Sequence, residues 1–157
     1  MNPDVKKMWV EALRSGKYQQ CTGKLHDYLD IEDSLVPESS KHSYCCLGVL
    51  CDLALKNGVD VQLQYRRVYE GMPESQSVYF YDDESGVLPE SVMRWAGINE
   101  KNPDIYLGDI RAGIVQLMID ELGNDSDINE HSYQLISEIN DLGIGFLDIA
   151  DIIEKSL

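Results

Sequence analysis

The chain has 157 residues, of which 43% are hydrophobic and 26% charged, a balance typical of a sequence that folds around a buried core. It carries 28 acidic side chains against 13 lysines and arginines, and this net charge of −15 argues against non-specific binding to nucleic acid or to an anionic membrane. No apolar run approaches the roughly 20 residues of a membrane span, and the first residues lack the apolar segment of a signal peptide. We therefore expect one globular domain over residues 1–157, located in the cytoplasm.

The negative charge is unevenly distributed along the chain. Residues 100–157 hold 13 acidic and three basic side chains, whereas residues 1–99 hold 15 acidic and 10 basic side chains. A site for an anionic ligand needs basic groups, so we expect any such site to lie within residues 1–99.

Two helices are predicted in the first third of the chain. Asn2 is a good N-cap, Pro3 suits the first helical position, and the apolar residues that follow recur with helical spacing up to Gly16. A second helix is predicted from about Ser43 to Asn57. Its apolar residues surround the helix axis, which is typical of a helix buried at the centre of a fold. Gly48 within it would let another element approach its backbone closely.

The middle of the chain has the pattern of strands, and the remainder is helical. Residues 59–69 and 77–81 are rich in alternating, β-branched and aromatic residues, with a break at residues 71–74, and predict an antiparallel hairpin. Within residues 17–43, residues 18–21 could be extended before a turn at Thr22 and Gly23, and residues 32–43 have the composition of an exposed loop. Four further helices are predicted over residues 88–95, 109–123, 132–140 and 145–157. The predicted fold class is α+β, a single mostly helical domain with a small antiparallel β-hairpin or sheet.

Four motifs stand in a fixed order along most of the chain. They are Trp9-x-x-Ala12-Leu13-x-Ser15-Gly16, Tyr44-Cys45-Cys46-Leu47-Gly48-Val49-Leu50-Cys51-Asp52-Leu53-Ala54, Leu88-Pro89-x-x-Val92-x-x-Trp95-x-Gly97, and Asn140-Asp141-x-Gly143-x-x-Phe146-x-x-Ile149-Ala150-Asp151. In this order they resemble a group of small bacteriophage and prophage proteins of uncharacterised function, except that Gly145 stands where a Ser or Thr helix cap is expected. The resemblance implies a phage setting, in which small accessory proteins take over host machinery or block host defence. It carries over no catalytic or binding residue.

The cysteines offer one catalytic hypothesis. Cys45 and Cys46 lie in the predicted first turn of the second helix, where a thiolate would be stabilised, and His42 could serve as its base. These residues would make a small cysteine-dependent hydrolase. The alternative is that the cysteines act as small apolar residues of a buried helix, in which case their thiols are inert.

No metal site is predicted. The spacing of Cys45, Cys46 and Cys51 differs from the closely spaced cysteine pairs of structural zinc sites. Residues 125–129 resemble the start of a calcium loop, but Glu130 and Ile136 stand where that loop requires its glycine and its bidentate glutamate. We expect no cofactor either, since glycine-rich phosphate loops are missing from the sequence.

The predicted hairpin offers a candidate ligand-binding surface. Its aromatic rings could stack on nucleobases and its arginines could bind phosphate, so that the hairpin would bind a small nucleotide. The alternative is an ordinary sheet that packs its aromatic side chains on helices and exposes its arginines. The candidate residues are Tyr65, Arg66, Arg67, Tyr69, Tyr79 and Tyr81.

The sequence thus favours a non-catalytic phage accessory protein that counteracts a host process, most of all anti-phage defence. It would act by binding a host protein or by sequestering a small nucleotide signal, without direct contact to nucleic acid or membrane. The cysteine-dependent hydrolase is the first alternative, and an acidic inhibitor that mimics DNA is a weaker one. The sequence leaves open whether the chain forms a homo-oligomer.

Overall fold

A computed structural model describes residues 1–29, 37, 41–68, 76–122 and 131–157 of the chain. The helices are α1 (Pro3–Arg14), α2 (Cys46–Lys56), α3 (Glu90–Ala96), α4 (Ala112–Leu122), α5 (Ile136–Asp141) and α6 (Phe146–Ser156). The strands are β1 (Gln19–Gln20), β2 (His26–Tyr28), β3 (His42–Tyr44), β4 (Leu63–Val68), β5 (Gln76–Tyr81), β6 (Asp104–Tyr106) and β7 (Tyr133–Leu135). Within these residues no helix is long and apolar enough to cross a membrane.

The fold is α+β, as the sequence predicts, but its sheet is larger than a hairpin. Strands β4 and β5 pair antiparallel over six residues each and confirm the predicted hairpin. They form one side of a five-stranded sheet in the order β1-β3-β2-β5-β4, in which only β1 and β3 run parallel. Strands β6 and β7 make a separate antiparallel pair. Strand β1 lies within residues 18–21, for which an extended segment was expected. Strands β2 and β3 and the second sheet were not predicted, because each of these strands has only three residues.

Helix α1 begins and ends where the sequence predicts. The Asn2 side chain accepts a hydrogen bond from the Asp4 backbone N–H at 3.0 Å, and Gly16 follows the helix with a left-handed φ of +68°. Trp9 is fully buried, and its indole N–H donates to the Cys46 carbonyl oxygen at 2.9 Å. This hydrogen bond ties the first helix to the beginning of α2.

Helix α2 is the buried centre of the fold, as its apolar sequence predicts. Its start was predicted too early, however. Residues 42–44 form β3 and pair with β2, so the helix begins at Cys46 with Cys45 as its N-cap. The backbone of another element was expected to approach Gly48 closely, and the Leu25 carbonyl oxygen does so. The same oxygen accepts a hydrogen bond from the Cys45 N–H at 3.2 Å.

Three other element boundaries were predicted wrongly. The strand expected from residue 59 begins at Leu63. The helix expected from residue 109 starts at Ala112, because Asp109 ends a 3-10 turn. The helix expected from residue 132 starts at Ile136, because residues 133–135 pair with β6. Tertiary pairing overrides local helical pattern in this region. Most of the expected loop at residues 32–43, the break at 71–74 and the calcium-like segment at 125–129 lie outside the described residues.

Asn140 joins three parts of the chain inside the core. Its side chain is fully buried, and its oxygen accepts hydrogen bonds from the Cys46 backbone N–H and the Gln20 side chain, both at 3.1 Å. Its amide nitrogen donates to the Cys21 carbonyl oxygen at 2.9 Å. The residue therefore satisfies backbone groups at the start of α2 and beside β1 that would otherwise be buried without partners.

We predict that Gly48→Ala will strongly destabilise the protein. A Cβ atom at residue 48 would lie 1.5 Å from the Leu25 carbonyl oxygen, so the helix and the strand could not both keep their positions. We expect a loss of about 3 kcal/mol or more in the free energy of unfolding, measured by urea denaturation.

Gly113→Ala is the matched control. Gly113 lies in α4, and a Cβ atom there would meet no atom within 4 Å. We expect its free energy of unfolding to stay unchanged or to rise by up to about 1 kcal/mol. Equal stability of the two variants would contradict the close packing of α2 on Leu25.

Candidate functional site

One face of the five-stranded sheet is covered by aromatic and imidazole rings. The strand register places Tyr65 opposite Tyr79, and it places His26 opposite Tyr44. Side chains directly opposite each other share one face of an antiparallel pair. The pairing of Asp27 with Val78 aligns β2 and β5 so that the tyrosine and histidine rings of β2, β3, β4 and β5 lie on the same side. We call this set the aromatic face: His26, Tyr28, His42, Tyr44, Tyr65, Tyr79 and Tyr81.

His26 lies at the centre of the aromatic face. Its ring is stacked between Tyr44 and Tyr79, with ring centroids 4.1 Å away on each side. Its Nδ1 lies 3.1 Å from the Tyr81 hydroxyl, and its Nε2 lies 2.7 Å from His42 Nδ1. Burial lowers the pKa of His26 to about 3, so the ring is neutral at physiological pH.

A cleft of about 520 Å³ opens beside the aromatic face, between α1, β3 and α2. Tyr18 and Tyr44 form an aromatic corner in it, with ring centroids 5.3 Å apart and the rings edge to face. The cleft's volume is in the usual range for sites that bind small molecules. Its lining residues are Met8, Glu11, Ala12, Ser15, Lys17, Tyr18, His42, Tyr44, Leu53 and Lys56.

Hydrogen bonds and an ion pair hold Lys56 at the edge of this cleft. Asp52 accepts a hydrogen bond from the Tyr18 hydroxyl and lies 2.5 Å from the Lys56 ammonium. Lys56 also donates to the Tyr18 hydroxyl at 3.1 Å. Burial and the bond to Asp52 raise the pKa of Tyr18, so it stays a neutral phenol. Lys17 adds a second ammonium group, and Glu11 adds a carboxylate.

The structure separates the ligand-binding residues that the sequence predicts. Tyr65, Tyr79 and Tyr81 share the aromatic face, although Tyr81 is fully buried. Arg66 lies on the opposite face, where its guanidinium is 4.6 Å from the centre of the Phe80 ring and pairs with Asp83. Grouping it with the tyrosines was wrong, because neighbouring residues of a strand point to opposite sides. The Arg67 side chain and Tyr69 lie outside the part of the chain that the structure describes.

The cysteines of α2 are buried. Cys45 caps the helix by accepting a hydrogen bond from the Gly48 N–H, and burial raises the pKa of its thiol to about 12. Burial also raises the pKa values of Cys46 and Cys51 well above the ordinary value. A protonated, buried thiol is a poor nucleophile. The expected base, His42, has its Nδ1 in the hydrogen bond to His26.

Several important residues of the site were missed from the sequence. The aromatic face depends on two copies of a His-x-Tyr pattern, in β2 and β3, which pair antiparallel with each histidine opposite a tyrosine. The repeated His-x-Tyr pattern is the sequence signal that could have predicted these two paired strands. Asp52 and Lys56 are four residues apart in α2, which is a local signal for an ion pair, but Tyr18 joins them only through the packing of the folded chain.

Metal binding also finds no support in the described residues. Among them, no three or more His, Cys, Asp or Glu side chains are placed to hold an ion together.

The chain belongs to the protein family defined as a domain of unknown function, DUF8296, whose model matches residues 1–157. The comparisons with curated proteins and with solved structures gave no match.

We predict that His26 makes the stability of the protein depend on pH. Its pKa is about 3 in the folded protein and about 6.5 in the unfolded chain, so below pH 6.5 only the unfolded chain gains this proton. The contribution of His26 to the free energy of unfolding is therefore fully present above pH 6.5, where the ring is neutral in both states. It is lost progressively as the pH falls towards 3, because only the unfolded chain is protonated in this range. From this residue alone we expect the free energy of unfolding to fall by about 1–2 kcal/mol between pH 7 and pH 5.

The measurement is urea unfolding across this pH range, and His26→Gln should lose that part of the pH dependence. His131→Gln, a change at an exposed histidine, is the control and should follow the wild type. Parallel pH curves for wild type and His26→Gln would contradict a neutral, buried His26.

Proposed function

We propose that this protein is a non-catalytic phage accessory protein that counteracts host anti-phage defence by sequestering a small nucleotide signal. The cleft beside the aromatic face is the proposed binding site, and the observation that carries the proposal is its combination of tyrosine rings with two lysines. The four motifs that resemble those of small phage and prophage proteins support the phage setting. The protein would act in the host cytoplasm.

The chemistry of the cleft suits both halves of a nucleotide. A nucleobase is a flat ring that stacks on aromatic side chains, and Tyr18 and Tyr44 offer such surfaces. Phosphate groups bind ammonium groups, which Lys17 supplies and which Lys56, already paired with Asp52 at 2.5 Å, supplies in part. All of these residues lie within residues 1–99, the part of the sequence in which we expect a site for an anionic ligand.

The burial of the cysteines supports a protein that only binds its ligand over a cysteine-dependent hydrolase. A cysteine hydrolase needs a thiolate near its base and open to substrate. Burial keeps the thiols of Cys45 and Cys46 protonated and away from solvent. Sequestration requires only affinity, which the aromatic corner and the lysines can supply.

The acidic inhibitor that mimics DNA is less well supported. The carboxylates of α6 lie beside arginines of the same molecule. Asp151 pairs with Arg14 and Arg111, and Glu154 lies 2.7 Å from Arg14. Carboxylates that are already paired offer less negative charge to a basic protein surface.

A ligand screen tests the proposal. The purified protein is incubated with a panel of cyclic and NAD-derived signalling nucleotides, and the thermal unfolding midpoint is measured for each. After denaturation, chromatography shows whether the nucleotide survives. We expect at least one nucleotide to raise the midpoint and to be recovered intact. A consumed nucleotide would favour the hydrolase, and no stabilisation by any nucleotide would overturn sequestration in favour of a host protein partner.

We predict that the double variant Lys17→Ala, Lys56→Ala binds the stabilising nucleotide at least about tenfold more weakly, because it loses two charged contacts to phosphate. Isothermal titration calorimetry measures the dissociation constant, and circular dichroism checks that the variant stays folded.

Two variants serve as controls for this prediction. Lys155→Ala removes a lysine from α6, and Arg66→Ala removes a cation from the opposite face of the sheet. Both should bind like the wild type. Weakened binding in Arg66→Ala with normal binding in the double variant would place the site on the other face of the sheet.

A further inference from the structure

Several polar groups of the cleft are already used by hydrogen bonds within the protein. The Ser15 hydroxyl donates to the Ala12 carbonyl oxygen at 2.6 Å. The Tyr18 hydroxyl donates to Asp52 and accepts from Lys56, whose ammonium group is also paired with Asp52. Because their hydrogens and charges are engaged, these side chains are less available to select a ligand.

Two charged groups of the cleft are more available. Among the described residues, the Lys17 ammonium group has no hydrogen-bond or ion-pair partner. The Glu11 carboxylate pairs with Lys7 at 4.0 Å, and the two side chains are 65% and 76% exposed. An ion pair this exposed contributes little to stability, so a ligand can replace it with little loss.

These two groups have opposite charges and stand at different points along one wall of the cleft. Glu11 lies about one helical turn before the end of α1 at Arg14, and Lys17 follows the turn at Gly16. A ligand that satisfies both must bring an anionic group to the lysine and hydrogen-bond donors to the carboxylate. In a nucleotide, the phosphate is the anionic group, so the base has to supply the donors.

Guanine is the common base that suits a carboxylate best. A carboxylate has two oxygens that only accept hydrogen bonds, and it pairs most strongly with two parallel N–H groups. The ring N1–H and the N2 amine of guanine are two such donors, side by side on its Watson–Crick edge. On that edge, the other common bases have one donor group with an acceptor directly beside it, which a carboxylate repels.

We propose that the cleft binds a guanine nucleotide, with Glu11 accepting from the edge of the base and Lys17 binding the phosphate. This inference rests on the proposed function and names the chemical class of its ligand. A carboxylate in a site for an anion weakens the binding of every phosphate equally. Glu11 therefore favours a ligand that repays this repulsion with two hydrogen bonds, and it discriminates against nucleotides that cannot.

The experiment compares three nucleotides that differ only in the base: the 3′,5′-cyclic monophosphates of guanosine, inosine and adenosine. Isothermal titration calorimetry measures the three dissociation constants. We expect the guanosine nucleotide to bind at least about tenfold more tightly than the adenosine nucleotide, because only guanine gives the carboxylate two charge-assisted hydrogen bonds. Inosine keeps the N1–H and lacks the N2 amine, so its nucleotide should fall between the two.

Glu11→Gln tests the residue that reads the base. The amide has a similar shape but has one acceptor oxygen and no charge, so we expect the preference for guanosine over adenosine to fall at least about fivefold. The ratio of the two dissociation constants isolates this effect, because lost repulsion of phosphate acts on both nucleotides. Glu100→Gln, at an exposed glutamate between α3 and β6, is the control and should keep the wild-type ratio.

The outcomes separate this proposal from the proposed function. If the adenosine nucleotide binds as tightly as the guanosine nucleotide, the nucleotide site stands and the guanine preference is overturned. A guanosine preference that persists in a folded Glu11→Gln protein would overturn the assignment to Glu11. If none of the three binds and the wider screen also finds no ligand, the nucleotide function fails, and this proposal fails with it.

Discussion

The contact of Gly48 with the Leu25 carbonyl group is the constraint on which the rest of the structure depends. The missing side chain lets the backbone before β2 lie directly on α2, and the same carbonyl oxygen accepts a hydrogen bond from the Cys45 N–H. The strand that follows begins with His26, so this contact also places the central ring of the aromatic face over the buried helix. A side chain at residue 48 would separate the sheet from the helix and with it the walls of the cleft.

The candidate site follows from two further connections to α2. The hydrogen bond from Trp9 to the Cys46 carbonyl oxygen holds α1 against this helix, and Asn140 satisfies the backbone at the helix start. With both helices held, the residues after α1 and the last turn of α2 meet, and Tyr18 can donate to Asp52 beside Lys56. The cleft therefore forms as a consequence of core packing, and hydrogen bonds within the protein orient its polar groups. Such preorganisation favours binding.

The sequence predicted the elements whose signals are local. The Asn2 cap and the helical spacing of apolar residues were sufficient to predict α1. The apolar residues on all sides of α2 were sufficient to predict that it lies at the centre of the fold. The nearness of Tyr65 and Tyr79 across the hairpin was also predicted, but Arg66 was grouped with them because nearness in sequence was used without the alternation of a strand. Strands β2 and β3 were missed because His26–Tyr28 and His42–Tyr44 are too short to show a period, and their pairing joins residues 16 positions apart. The cleft combines residues from α1, β3 and α2, so only the folded chain reveals it.

The most direct test of this account is to map where a nucleotide binds. Backbone amide ¹H–¹⁵N chemical shifts would be recorded for the protein with each nucleotide of the signalling panel. We predict that a binding nucleotide shifts the amides around Tyr18, His42 and Lys56 and leaves those around Arg66 and Asp83 unchanged. Shifts confined to the opposite face of the sheet, around Arg66, or unchanged spectra with every nucleotide, would contradict the proposal that the cleft beside the aromatic face is a nucleotide site.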